Sequence, residues 1–275
     1  MKLFEKKYKL IEYIDNKIYF INNLDNEKLN EYSEYPIGSV TKLFIIISLL
    51  LLHQNNKINI FNKIGNYITN DYIKDLKIID IINHKSGLKD VYDNKKYGSS
   101  KIKFDSATQV FNKYNDNNSI DNNMKNNFNY SNMGYHILGM LIENISKIKY
   151  SDFVKKYILV PLKMNNTGIE DCNITLYDYK NKKLNKYQKW ERTYASSSGE
   201  LKSNIENLIK FTNFTKLLKK ETLDLFKNIY VYRNFNNEHH IEHGGGIVGS
   251  SVKYYITFDN KWKVKTIYIS LQTAY

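Results

Sequence analysis

The chain has 275 residues, 42% of them hydrophobic and 25% charged, with a formal net charge of +13. That apolar share can fill a sizeable core and excludes a chain disordered from end to end. The lysines are interleaved with Asn, Ile and Tyr and form no compact basic run, so no specific nucleic-acid surface is expected; the single cysteine, Cys172, excludes an intrachain disulfide and a zinc ribbon.

Residues 8–22 read as a hairpin, two runs rich in β-branched and aromatic residues around the turn pair Asp15-Asn16. A polar linker follows and ends at Pro36, just before the corner Gly38-Ser39. Leu43 to Leu52 is apolar except for Ser48, the pattern of a helix buried on every side, since an amphipathic helix shows polar positions once per turn. It is too short to span a bilayer, which takes about 20 residues, so no transmembrane segment is expected. Met1 to Lys7 lack the apolar core of a signal peptide, and the expected location is cytoplasmic.

Leu76 to Ile82 form a compact apolar element that stops at Asn83-His84-Lys85-Ser86-Gly87, with His84 and Ser86 read as fixing a turn. The stretch 92–127 is dominated by Asn, Lys, Asp and Ser and reads as loops with one or two short helices. Helical spacing resumes from Met133 to Ile145, where Gly134 and Gly139 permit close packing. A second helix is predicted from Ser151, as its cap, to Val160 before Pro161, and a third from Asn204 to Leu218. Ile229 to Arg233, Gly246 to Phe258 and Trp262 to Gln272 read as strands. Strands at both ends with helices between predict an α/β (α+β) architecture: one sheet made from both termini, with a helical lobe inserted. The expected organisation is a single domain over 1–275, its sheet lobe taking about 1–60 and 190–275 and its helical lobe about 61–189.

Three local patterns carry chemistry. Ser39 and Lys42 are three apart and share one helix face at the mouth of the buried helix. The positive end of the helix favours charge developing at Ser39, and burial would lower the Lys42 pKa toward that of a base, the arrangement of an activated serine. A capping serine beside a snorkelling lysine is the alternative, and Ser86-Lys89, Ser100-Lys103, Ser146-Lys149 and Ser250-Lys253 share the spacing. Tyr130 and Asn132 open a strong helix, whereas the same pattern at Tyr92, Tyr179 and Tyr232 does not. His243-Gly244-Gly245 opens a late strand, where glycines let a ligand approach the backbone. Glu238, His239, His240, Glu242 and His243 could also be read as a metal cluster, but no second ligand set accompanies them, and neither metal nor cofactor is expected.

In this order the motifs resemble the serine beta-lactamase and penicillin-binding protein superfamily, in its class C-like branch with D-alanyl-D-alanine peptidases and esterases. Tyr35 to Phe44, Ile81 to Leu88, Tyr130 to Glu143, Ile158 to Thr167, Ser198 to Ser203 and His243 to Gly249 all look like family text. The resemblance implies the beta-lactamase/transpeptidase-like fold and a hydrolase that forms an acyl-enzyme on Ser39 from a small-molecule or peptide acyl substrate. It implies that Lys42 helps to deprotonate Ser39. Tyr130 would act as base or proton relay, its phenol pKa pulled down by nearby cations. Asn132 would hold a substrate amide or Lys42, and His243 and Gly245 would stand where the third motif meets Tyr130 or a substrate carboxylate. The oxyanion hole would come from the backbone N–H groups of Ser39 and Gly246.

Two departures from the family pattern matter. Helices that family members carry before the first hairpin and after the last strand are expected to be absent or reduced here, which predicts an uncovered apolar sheet face and through it a homodimer. Histidine and glycine replace lysine and threonine in the third motif, so a substrate carboxylate would be held less firmly, which tilts the expectation toward an esterase. The alternative is a catalytically degenerate member used for binding or scaffolding.

Overall fold

The computed structural model describes residues 8–90, 103–115, 120–180, 183–186, 193–247 and 249–274. The hairpin forms as its residues predict: β1 (Tyr8–Ile14) and β2 (Lys17–Asn22) flank Asp15 and Asn16, which are left-handed at φ 50° and 62°. A two-residue turn between twisted strands needs that conformation, and Asn and Asp tolerate it. After the linker, β3 (Tyr35–Pro36) leads into the helical turn Gly38–Val40 and then α1 (Thr41–Gln54). Every residue of α1 from Thr41 to Leu52 is buried, and its one apolar-run interruption, Ser48, returns its hydroxyl to Phe44 O at 2.8 Å.

The helical part follows: α2 (Ile78–Ile82), α3 (Ala107–Tyr114), α4 (Asn132–Ser146) and α5 (Tyr150–Val154). Residues 92–102 and 116–119 of the polar stretch 92–127 lie outside the described residues; α3 and a tighter helical turn over Asn122–Met124 are seen in the rest. Gly139 is required by packing, because a Cβ there would stand 2.6 Å from the Ala107 Cβ of α3. Ser151 does not cap its helix, as the spacing predicted: α5 begins one residue earlier, and the chain continues as a wider turn over Lys155–Leu159 up to Pro161.

A hairpin, β4 (Tyr177–Lys180) and β5 (Lys183–Lys186), and the short α6 (Ser196–Gly199) come next. Then β6 (Lys202–Ser203) pairs with β3. The third predicted helix is α7 (Ile205–Phe211), capped by Asn204 and prolonged by a tighter helical turn over Thr212–Leu217, before α8 (Lys220–Phe226).

The last four strands are β7 (Tyr232–Phe235), β8 (Glu238–Ile247), β9 (Ser250–Phe258) and β10 (Val264–Ala274). They join the first hairpin in a six-stranded antiparallel sheet of order β2-β1-β10-β9-β8-β7, so both ends of the described chain meet at β1 and β10. The strand expected over Gly246 to Phe258 is two strands, with Gly249 at φ 82° between them, and the histidine-glycine run lies within β8 instead of opening a strand.

The inner face of the sheet, with Ile11, Leu271, Val252, Tyr254, Ile256 and Phe258, packs on the helices. Phe211 of α7 stacks on Phe44 of α1 at 4.2 Å and stands 6.0 Å from Tyr254 of β9, which ties sheet, α7 and α1 into one core. The outer face corrects an expectation. It carries Glu12, Tyr19, Tyr268, Lys253, Tyr255 and Glu242, with Leu10 and Ile21 as an apolar pair at the β1–β2 edge, and is largely polar where an apolar surface was predicted. Strand alternation sends the apolar residues inward and leaves the other face to charges and tyrosines.

Candidate active site

Ser39 sits in the middle of the turn Gly38–Val40, and Lys42 lies in the first turn of α1. Gly38 turns the corner at φ 50°; a Cβ on it would fall 2.7 Å from Gly246 N, and one on Gly245 would fall 2.0 Å from Ile37 O. Absence of those side chains lets β8 lie directly against the Ser39 turn. A hydrogen bond from Ser250 Oγ to Pro36 O, 2.7 Å, pins the same turn to β9.

Tyr130 comes in on the loop before α4, and its hydroxyl donates to Ser39 Oγ at 2.7 Å. Lys42 Nζ lies 3.1 Å from Ser39 Oγ, 2.7 Å from Asn132 Oδ1 and 2.6 Å from Ser198 O. The amide and carbonyl oxygens accept hydrogen bonds only, so they take two N–H groups of Lys42. In the neutral amine the third direction, toward Ser39, is then left to the lone pair.

Electrostatics favours that neutral form. Burial lowers the Lys42 pKa to about 7, against an upward pull from the Asp90 carboxylate. Tyr130 moves the other way: burial pushes its phenol up to about 12, although the bond to Ser39 lowers it somewhat. The expected downward pull from cations is thereby corrected. Lys42, 5.0 Å from the Tyr130 ring centre, is itself largely deprotonated above pH 7, and the cost of a buried phenolate dominates.

Asn132 holds Lys42 and is itself held. Its Nδ2 donates to Asp90 Oδ2 at 3.0 Å and its backbone N to Asp90 Oδ1 at 3.2 Å, so the amide presents oxygen to Lys42. His243, expected to meet Tyr130 or a substrate carboxylate, is hydrogen-bonded to Tyr230 and not to Tyr130. Its Nε2 is 2.6 Å from the Tyr230 hydroxyl and its Nδ1 is bonded to Gly244 O, and burial holds its pKa down at about 4. With Nδ1 donating to a carbonyl, Nε2 accepts from Tyr230, and the ring is neutral.

Gly245 also departs from expectation. Glu242 N bonds Val231 O on the edge of β8 away from β9. Backbone groups alternate between edges along a strand, so those of Gly244 and Gly246 point to that open edge while those of Gly245 point to β9. Gly245 therefore packs against Ile37, whereas the Gly246 backbone lies on the open edge against Gly38, the residue before Ser39.

The histidines that could be read as a metal cluster are split by the same alternation: His239 and His243 point inward and His240 outward. His84 does fix a turn. At φ 56° it accepts Ser131 N on Nδ1 at 3.0 Å and Asn129 N on its carbonyl at 2.7 Å, and its ring lies 4.4 Å from that of Tyr130.

The family model described as beta-lactamase matches residues 13–239 of the chain. The chain belongs to the beta-lactamase family. Protein flp of Staphylococcus aureus (strain MW2) is 25% identical over 171 residues, covering 58% of this chain and 32% of flp. Penicillin-binding protein 4* of Bacillus subtilis (strain 168) is 26% identical over 154 residues, covering 53% of this chain and 32% of that protein. The match thus spans about a third of the length of these relatives. Among solved structures, a D-stereospecific amidohydrolase from Streptomyces sp. superposes with a TM-score of 0.76 at 17% identity, over 97% of this chain and 88% of that one. The fold is therefore the beta-lactamase/transpeptidase-like one. Among the described residues no helix is long and apolar enough to cross a membrane.

The structure brings Ser39, Lys42, Tyr130 and Asn132 into contact and adds Asp90, Tyr230 and the Ser198 carbonyl, which the sequence reading missed. A signal existed for the last, since Ser198 lies in one of the family-like stretches. Asp90 borders a polar stretch and Tyr230 lies in a predicted strand, where neither stands out.

Proposed function

We propose that the protein is a serine hydrolase of the class C beta-lactamase-like type that works through an acyl-enzyme on Ser39. The observation that carries this reading is the sharing of Ser39 Oγ between Lys42 Nζ at 3.1 Å and Tyr130 OH at 2.7 Å, with the other Lys42 donors already occupied. Neutral Lys42 takes the Ser39 proton as Oγ forms its bond to the substrate carbonyl carbon. The carbonyl oxygen becomes an oxyanion beside the N–H groups of Ser39 and Gly246. The proton then passes from Lys42 by way of Tyr130 to the leaving group as its bond to carbon breaks. Water next attacks the acyl-enzyme, giving its proton to Lys42, and Ser39 leaves with a proton returned to Oγ.

A raised phenol pKa suits Tyr130 to donating and relaying a proton, so Lys42 is the base in this scheme. Esters, amides and beta-lactams all fit the chemistry. A neutral His243 gives no cation at the third motif, which favours esters and amides over substrates that depend on a carboxylate held there. The amidohydrolase named above supports amides as one such class. Cytoplasmic location and a single-domain organisation are parts of this reading that rest on the sequence alone.

Labelling with a fluorophosphonate probe, followed by intact mass and peptide mapping, tests the proposal. One adduct on Ser39, lost in Ser39→Ala, is the expected result. No adduct, or an adduct that survives the substitution, overturns it and leaves binding or scaffolding as the function.

A further inference from the structure

A cavity of about 640 Å³ opens beside Tyr130 and His243 and continues over the edge of β8 onto the outer face of the sheet. Its walls are aromatic, with Phe128 and Tyr230 on the side of the helices and Tyr255 and Tyr268 on the outer sheet face. Two cations stand in the same lining, Arg233 and Lys253, both exposed and neither with an ion-pair partner among the described residues. Glu242 is the acidic side chain among the lining residues, so the charge there is positive by one.

Register places the cations. Lys253 is the cross-strand partner of Gly244, the residue after His243, so its backbone stands about 5 Å from that position. Arg233 pairs with His240, and its guanidinium is fixed by bonds from Nη1 to the carbonyls of Tyr230 and Tyr232, next to the ring that holds His243. His243 itself, bonded to Tyr230 and Gly244 O, contributes no positive charge. Within this lining the anchors for an anion are thus Arg233 and Lys253 and not the third motif.

Tyr130 forms part of the wall of this cavity and also donates to Ser39 Oγ. A leaving group that takes its proton from Tyr130 therefore departs into the cavity. We infer that this cavity is a leaving-group site that selects an aromatic ring bearing a carboxylate, the ring lying among the tyrosines and the carboxylate on Arg233 and Lys253. The inference rests on the serine-hydrolase reading and adds the substrate class to it.

Phenyl acetate and 3-acetoxybenzoate share one acyl group and differ only by a carboxylate on the leaving ring. With each rate divided by its hydroxide-catalysed rate, the protein is expected to favour 3-acetoxybenzoate in kcat/KM by about tenfold, through KM, with the preference shrinking as salt is raised. Lys253→Gln and Arg233→Gln each bring the ratio toward unity, and Lys253→Glu inverts it, while Lys261→Gln on the turn before β10 keeps it. A ratio of unity in the unaltered protein, or a preference untouched by the substitutions at Arg233 and Lys253, overturns the leaving-group site alone. Absence of any Ser39-dependent hydrolysis of either ester overturns the hydrolase reading and this inference with it.

Discussion

Lys42 Nζ donates to Asn132 Oδ1 at 2.7 Å, and Asn132 is in turn locked by Asp90 on its Nδ2. A buried lysine is thereby oriented by neutral acceptors and has its carboxylate one residue removed. The geometry keeps the amine in place without an ion pair that would hold it charged, and burial sets its pKa at about 7.

The pH dependence of turnover follows from that value. Below pH 7 Lys42 is protonated and has no lone pair for Ser39, so kcat/KM for a neutral ester should fall about tenfold per pH unit under a midpoint near 7. A pH–rate profile with phenyl acetate measures it. A flat profile between pH 5 and 8 would exclude Lys42 as the base.

Replacement of Asp90 by asparagine should move that midpoint further down. The Asp90 carboxylate raises the Lys42 pKa, so its removal at nearly constant shape favours the neutral amine at lower pH. The acid limb of Asp90→Asn is expected below that of the unaltered protein, and a shift upward would contradict the assignment.

Tyr130→Phe removes the hydroxyl from Ser39 Oγ and the proposed route to the leaving group. A loss of about 10²–10⁴-fold in kcat/KM is expected, with the acid limb still near pH 7 because Lys42 remains. Since burial holds the Tyr130 phenol at about 12, the unaltered protein should show no alkaline decline from this group below about pH 10.

Gly245 and Gly246 are adjacent and predict opposite outcomes. A Cβ on Gly245 would stand 2.0 Å from Ile37 O, so Gly245→Ala must push β8 off the Ser39 turn, at a cost of about 1–3 kcal/mol and with loss of Ser39 labelling. A Cβ on Gly246 meets nothing within 4 Å, so Gly246→Ala should leave stability within about 0.5 kcal/mol. Urea unfolding of the two variants gives the comparison.

Much of this architecture is written in local pattern. Leu43 to Leu52 carries one polar residue, and a helix with no polar face has nowhere to go but the core, which is where α1 lies. Asp15-Asn16 between β-branched runs leaves little but a tight hairpin. The order of the Ser39, Tyr130 and His243 motifs pointed to the family before any coordinate did. What pattern cannot carry is the partner brought by another part of the chain.

Asp90 and Ser198 lie 42 and 156 residues from Asn132 and Lys42 and become their neighbours only in the packed fold, while Tyr230 reaches His243 across the β7–β8 turn. The upward shift of the Tyr130 phenol is illegible in the sequence for the same reason, because desolvation depends on what packs around a group and not on what precedes it in the chain. The Ser39–Lys42 spacing occurs elsewhere in this sequence, at Ser146–Lys149 for instance, with no such surroundings. Local pattern settles which residues form the buried helix and put a serine at its mouth. That Lys42 is stripped of water and holds two acceptors, that Tyr130 keeps its proton, and that His243 faces Tyr230 all follow from the packed fold, because each depends on burial and on contacts that other segments supply.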